Sequence, residues 1–200
     1  MVSAMADDST RGPTATQILD VAQELAQTRG YNAFSYRDLA ERVGIRAASI
    51  HHHFPGKSDL ALALVARYRE QFGAALQEIR EHHADAGTQL TAYVDLFRQT
   101  LQQDGRICLC GMFAADLSTL PTDVREQVRA FFAENERWLA RTLDAGRRKG
   151  ELQFAGTPTE AAAMILDALE GALLTARALE SVPRFERSTR CLLRALGASG

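Results

Sequence analysis

The side chains of this 200-residue chain best equipped for chemistry fall in two stretches. The first is SYRDLAERVGIRAASIHHHFPGK, residues 35–57, which carries Arg37, Arg46, Lys57 and three successive histidines, His51, His52 and His53. Guanidinium and ammonium groups are suited to phosphate oxygens and base edges. Three histidines in a row suggest a metal site, but on a helix consecutive side chains diverge by about 100° and do not converge on one ion. The second stretch is RICLCGMFAAD, residues 106–116, with Cys108 and Cys110. A cysteine at a helix start gains thiolate character from the dipole, and Arg106 would add to it, so Cys108 is the candidate nucleophile. Cys110 would point about 200° away on a helix, which makes the two a poor vicinal disulfide or chelate. The competing reading of both is a pair of small buried hydrophobes. Cys191 is expected on the apolar side of the last helix as a structural residue, and His82-His83 as the solvated end of a surface helix.

Other chemistry is hard to place. There is no His/Glu spacing for a metal, no phosphate-cradling glycine loop, and no serine or cysteine with an evident base. The chain is therefore expected to be no enzyme and to need no metal or cofactor. Hydrophobic residues make up 46% and charged residues 24%, the balance of a globular domain. Net charge is -2, from 23 Lys+Arg against 25 Asp+Glu, which excludes a uniformly basic nucleic-acid binder and requires a local patch instead. Residues 11–57 hold six basic and four acidic side chains, while 58–200 hold 17 basic and 19 acidic, so the small positive bias lies on the first stretch. An odd count of three cysteines, no apolar leader and no run of 18 apolar residues suggest a cytoplasmic protein outside the membrane.

The elements that must position these residues are helical throughout. Ile18, Leu19, Ala22, Leu25 and Ala26 form one helix face over about 13–29, closed by Gly30. Ser35-x-x-Asp38 opens a short helix, 36–43, as a capping-box variant. Gly44 makes a turn, Ile45 plugs the corner, and Ala48 with Ile50 seat a second short helix before Pro55-Gly56 breaks it. Leu60, Leu64, Tyr68, Phe72 and Leu76 then step along a helix of about 57–82. Further helices follow around 90–101, in the shorter segment 107–117, and from Val124 to Leu143, the last fraying around Gly146 to Gly150. Thr157-Pro158-Thr159-Glu160 starts a helix at 158–180 with cap, proline and box residue together, and a last one covers 184–196. The expected fold is all-α with about nine helices. Residues 1–12 are expected as a flexible arm, 13–56 as a helix-turn-helix domain, and 57–200 as a second helical domain.

On residues 35–57 and the helix before them, the chain resembles the TetR family of bacterial transcriptional regulators. The resemblance implies an N-terminal three-helix DNA-binding domain and a C-terminal bundle that binds a small molecule and forms a homodimer. Carried over residue by residue, it implies DNA contacts by Arg37, by Arg46, Ala47 and Ser49 at the start of the recognition helix, by His51, His52 and His53, and by Lys57 at the start of the linking helix. His51 stands where the family most often has tyrosine. The implied function is a repressor released from a palindromic double-stranded operator by a small apolar effector, with half-sites roughly 34 Å apart or somewhat more.

The C-terminal region agrees with both implied roles. Helices rich in Ala161, Ala162, Ala163, Ala168, Gly171, Ala172 and Ala176 carry small or apolar residues on more than one face, as expected where one face packs on a twofold mate. For an effector pocket, Tyr93, Phe97, Met112, Phe113, Phe131 and Trp138 can supply apolar walls, and Asp116, Asn135 and Glu170 polar fixing points, with Cys108 beside them. The 106–116 block, with the downstream FF...N..WL pattern, is similar to a subgroup of these repressors that respond to electrophiles or acrylate-type compounds. That likeness implies an alternative: a thiol-based electrophile- or redox-sensing repressor acting through Cys108.

Overall fold

The computed structural model describes residues 12–197, and among them it holds nine α-helices, one 3-10 turn and no strand. The arm expected at the N-terminus lies, apart from Gly12, outside the described residues. No helix among them is long and apolar enough to cross a membrane. The chain forms two compact units. One contains residues up to 74 together with 109–131, and the other contains 75–108 together with the chain from 132 onward.

The first unit begins with α1, Pro13–Arg29, whose proline at the first helical position needs no N–H partner. Its Ile18, Leu19, Ala22, Leu25 and Ala26 are all fully buried, so the periodic apolar stripe is the inner face. Helix α2, Tyr36–Val43, starts on the expected box: the Ser35 N–H donates to Asp38 Oδ2 at 2.7 Å, and the Asp38 N–H to Ser35 Oγ at 3.4 Å. The Ser35 hydroxyl, donating to Asp38 Oδ2 at 2.6 Å, and then the Ser35 N–H hold the Asp38 carboxyl below its ordinary pKa. Gly44 closes the helix at φ 77°, the left-handed conformation in which a Cβ is costly, and returns its N–H to the Ala40 carbonyl. Helix α3, Ala47–His53, follows. Ile50 is its one buried residue, while Ala48 is exposed, against the expectation that both seat the helix. Residues two apart on a helix lie on nearly opposite sides, so only one of them can face the core.

Helix α4, Lys57–His82, runs from the first unit into the second. Within the first, buried Arg67 donates to Asp20 Oδ1 at 2.7 Å and to Gln23 Oε1 at 3.1 Å on α1. The later part of this unit is α6, Leu109–Ala115, the 3-10 turn Leu117–Thr119, and the first part of α7, Thr122–Arg148. A cut of the chain at residue 57 thus differs from the units that packing makes. Helix α6 lies on α1, and Arg69 of α4 pairs with Gln127 of α7.

The second unit contains the remainder of α4 and α7, with α5, Ala86–Gln102, α8, Pro158–Ala178, and α9, Val182–Ala195. Helix α8 starts on the Thr157/Glu160 box, with Glu160 Oε2 accepting the Thr157 N–H at 2.7 Å. Its inner face, from Ala161 to Ala176, packs on α9 and α5. Helix α7 ends at Arg148, within the expected Gly146 to Gly150, and Gly146 is buried where its missing side chain leaves room for Ala86 and Leu152. One expectation is corrected here. Cys191 is exposed, since Phe185, Thr189 and Leu196 form the inner side of the last turns of the chain.

Candidate functional site

In the first unit, the α2–turn–α3 segment presents cationic and imidazole side chains on a rigid base. Arg37 is the second residue of α2 and is exposed; Arg46, also exposed, is the extended N-cap of α3. Ala47, His51, His52 and His53 are exposed and Ser49 half-buried, arranged around the single anchor Ile50. The base is held by a residue that sequence reasoning passed over. Tyr36, the first residue of α2, places its hydroxyl 2.6 Å from the Gly56 carbonyl and 2.9 Å from the Phe54 carbonyl, and so donates to the turn after α3. Its ring meets His51 edge-on with centroids 4.7 Å apart, and His51 Nδ1 lies 3.2 Å from the Pro55 carbonyl. Partial burial, with Asp59 and Tyr31 nearby, raises the Tyr36 pKa to about 12, which keeps the hydroxyl a donor. The clue in the sequence was an aromatic hydroxyl directly after a cap serine. Its partners are carbonyls about twenty residues on, which no local pattern encodes.

Lys57 differs from the other cations. Its ammonium donates to the Phe34 carbonyl and lies over the Tyr31 and Phe34 rings, 4.7 and 4.5 Å from their centroids. Burial lowers its pKa, opposed by Asp116 and Asp38. In this arrangement Lys57 ties α4 to the turn between α1 and α2. The same turn receives Asp116, whose Oδ2 accepts the Tyr31 N–H at 2.9 Å, while Asn32 Nδ2 donates to Thr119 Oγ1 at 2.9 Å and Phe113 packs edge-on against Tyr31.

The ten residues expected to line a pocket are divided between the units. Met112, Phe113, Asp116 and Phe131 belong to the first, where Phe131 packs on Tyr68 and Phe72. Tyr93, Phe97, Cys108, Asn135, Trp138 and Glu170 belong to the second. There they form a buried aromatic and polar group. Tyr93 stacks on Trp138 at 5.3 Å and 17° and meets Phe97 at 5.3 Å, and its hydroxyl donates to Asn135 Oδ1 at 2.9 Å. The Trp138 indole N–H donates to the Leu76 carbonyl at 3.2 Å. Cys108, only 1% exposed, precedes α6 and donates its thiol proton to the Glu170 carboxyl. Burial pushes Glu170 up to about 7, a shift that the Cys108 hydrogen bond opposes. Burial, with the acidic groups of Cys108 and Glu170 nearby, also holds the Tyr93 hydroxyl protonated. Met164 and Leu174 of α8, and Leu179 just after it, are at least half exposed.

Two family models match this chain. The model described as bacterial regulatory proteins, tetR family, covers residues 18–64, and the one described as tetracyclin repressor-like, C-terminal domain, covers 86–192. A TetR-family transcriptional regulator from Agrobacterium tumefaciens is similar in structure at 37% identity and a TM-score of 0.88, over 92% of this chain and 97% of that one. A TetR regulator from Legionella pneumophila matches at 30% identity and a TM-score of 0.82, over 93% and 98%. Among curated relatives, the transcriptional repressor KstR2 of Rhodococcus jostii is 30% identical over 88 residues, which span 44% of this chain and 43% of that protein.

Proposed function

From the membership of this chain in the TetR family of bacterial regulatory proteins, we propose that it is a homodimeric repressor that leaves a palindromic DNA operator when a small effector binds its second unit. The observation that carries this reading is the head itself: Arg37, Arg46 and the three histidines stand exposed around an α3 that Ile50, Tyr36 and the Gly44 turn hold in place. Exposed guanidinium groups on short, capped helices suit a few phosphate and base-edge contacts in a major groove. Lys57, engaged with Phe34 and Tyr31, acts as a brace of that head. The half-exposed Met164 and Leu174 of α8, with Leu179 just after it, supply an apolar face for the twofold mate. The buried group around Tyr93 and Glu170 supplies the effector site, and coupling between effector and operator is reciprocal in free energy.

Fluorescence anisotropy with DNA from the region upstream of the gene tests the reading. Sequence-selective binding is expected, with Arg37→Ala and Arg46→Ala each lowering affinity and reducing the salt slope by about 1. Absence of salt-sensitive, selective binding would sink it.

One observation favours a second reading, a thiol sensor. The Cys108 proton already points at Glu170, a carboxyl able to accept it. Intact mass after treatment with a mild electrophile, followed by operator binding, separates the two. In the thiol reading Cys108→Ser retains DNA binding in the presence of the electrophile; equal loss in wild type and variant removes it.

A further inference from the structure

Among the described residues of the second unit, Glu170 carries a buried polar atom without a hydrogen-bond partner. Around Tyr93 the polar atoms pair internally: hydroxyl to Asn135, indole N–H to the Leu76 carbonyl, thiol to Glu170. Glu170 is the exception. Its Oε1 is buried and, among the described residues, has no hydrogen-bond partner, although the side chain as a whole keeps some surface. An unsatisfied buried carboxyl oxygen costs free energy that a ligand supplying a donor would recover. The oxygen accepts and cannot donate, and that already favours one kind of ligand over another.

Charge narrows it further. Burial first, and then the acidic groups of Cys108 and Glu170, keep the Tyr93 hydroxyl protonated, and an ionised Glu170 attracts a cation and repels an anion. Tyr93, packed on Trp138 and Phe97, puts aromatic side chains in the same buried group, and aromatic rings stabilise organic cations. Helix α9 turns Phe185 and Thr189 inward, neither of them titratable. We propose that Glu170 anchors the effector, and that the effector is an organic cation: an apolar or aromatic body carrying a protonated amine that donates to Glu170 Oε1. This rests on the reading of the second unit as an effector site and names the chemical class it takes.

Three probes with one frame and different tips decide the matter: 4-phenylbutylamine, 4-phenylbutanol and 4-phenylbutyrate, each titrated calorimetrically into the full-length protein without DNA. The amine is expected to bind at least about tenfold more tightly than the alcohol, as a charge-assisted hydrogen bond exceeds a neutral one, with the carboxylate weakest. Because Glu170 titrates near 7, the fraction ionised rises about tenfold between pH 6 and pH 8, and amine affinity should rise with it. Glu170→Gln should bring amine and alcohol to similar affinity and flatten the pH profile. The proposal is overturned by an amine no tighter than the alcohol, by preference for the carboxylate, by no saturable amine binding, or by an unchanged preference in Glu170→Gln. Should that variant fail to fold, the wild-type pH profile decides alone, a flat one counting against the proposal. Since no DNA is present, loss of the operator reading would leave these results standing, and their failure would leave the operator reading intact.

Discussion

Gly146→Ala sets two physical effects against each other inside α7. Alanine is the better helix former by about 1 kcal/mol, so an open site would be stabilised. At Gly146 a Cβ would lie 2.6 Å from the Ala86 Cβ, 2.7 Å from Leu152 Cδ1 and 2.8 Å from Leu152 Cγ, all inside contact distance. None of these atoms moves freely. The Ala86 N–H is held by Glu151 Oε2 at 2.8 Å, and the Gly146 carbonyl accepts from Glu151 at 2.8 Å and Leu152 at 3.3 Å. Relief therefore requires backbone movement at the start of α5 or after α7, which places the overpacking cost near the upper end of its usual range of about 1–3 kcal/mol. The net expectation is a loss of about 2 kcal/mol, or roughly 4–8 °C in Tm for a chain of this size. Thermal and urea melts followed by circular dichroism measure it, and Ala86→Gly in the same chain should recover part of the loss while Leu152 keeps the rest. A Tm equal to or above wild type would refute the reasoning, since propensity would then outweigh the contacts.

Two further perturbations probe the groups around each site. Glu170 has an ordinary value of 4.5 unfolded and about 7 folded, so between these pH values the unfolded state loses its proton first. Stability from this group is full below about 4.5 and falls by up to roughly 3 kcal/mol as pH rises to about 7, a slope that denaturant melts should show and Glu170→Gln should remove. The cap carboxyls Asp38, Asp85 and Glu160 are shifted downward and act oppositely, losing their contribution as pH falls below the ordinary carboxylate range. Asp116→Ala should destabilise the first unit by about 1–2 kcal/mol, because the Tyr31 N–H loses a charged acceptor, and Asp116→Asn, which keeps an acceptor oxygen, should restore more than half. Melts of both variants beside wild type check this, and equal loss in the two would contradict the hydrogen-bond account.

Much of the fold was legible because its signals are local. The first helix, the short helix after Ser35 and the long helix from Lys57 lie where apolar spacing, caps and glycine place them. The Thr157 box likewise starts its helix as read. Where the reading erred, a distant contact outweighed a local cue. Cys191 stands next to apolar leucines in sequence yet faces outward in the final helix. The contacts of the Lys57 ammonium, the Phe34 carbonyl and two rings, likewise lie beyond any local cue.

The chain alone determined the helices, their boundaries to within a few residues, and the turn that sets α2 against α3, since each depends on residues within one or two turns of one another. Tertiary structure decided which of the ten candidate pocket residues share a unit. It divided them at two places, between Cys108 and Leu109 and between Phe131 and Phe132, sending Asp116 to Tyr31 and leaving Glu170 with Cys108. Helical periodicity specifies which side of a helix is apolar but not what that side meets. The unpartnered oxygen of Glu170 is a property of such a meeting, because a buried acceptor is unsatisfied only with respect to every donor the fold brings near it.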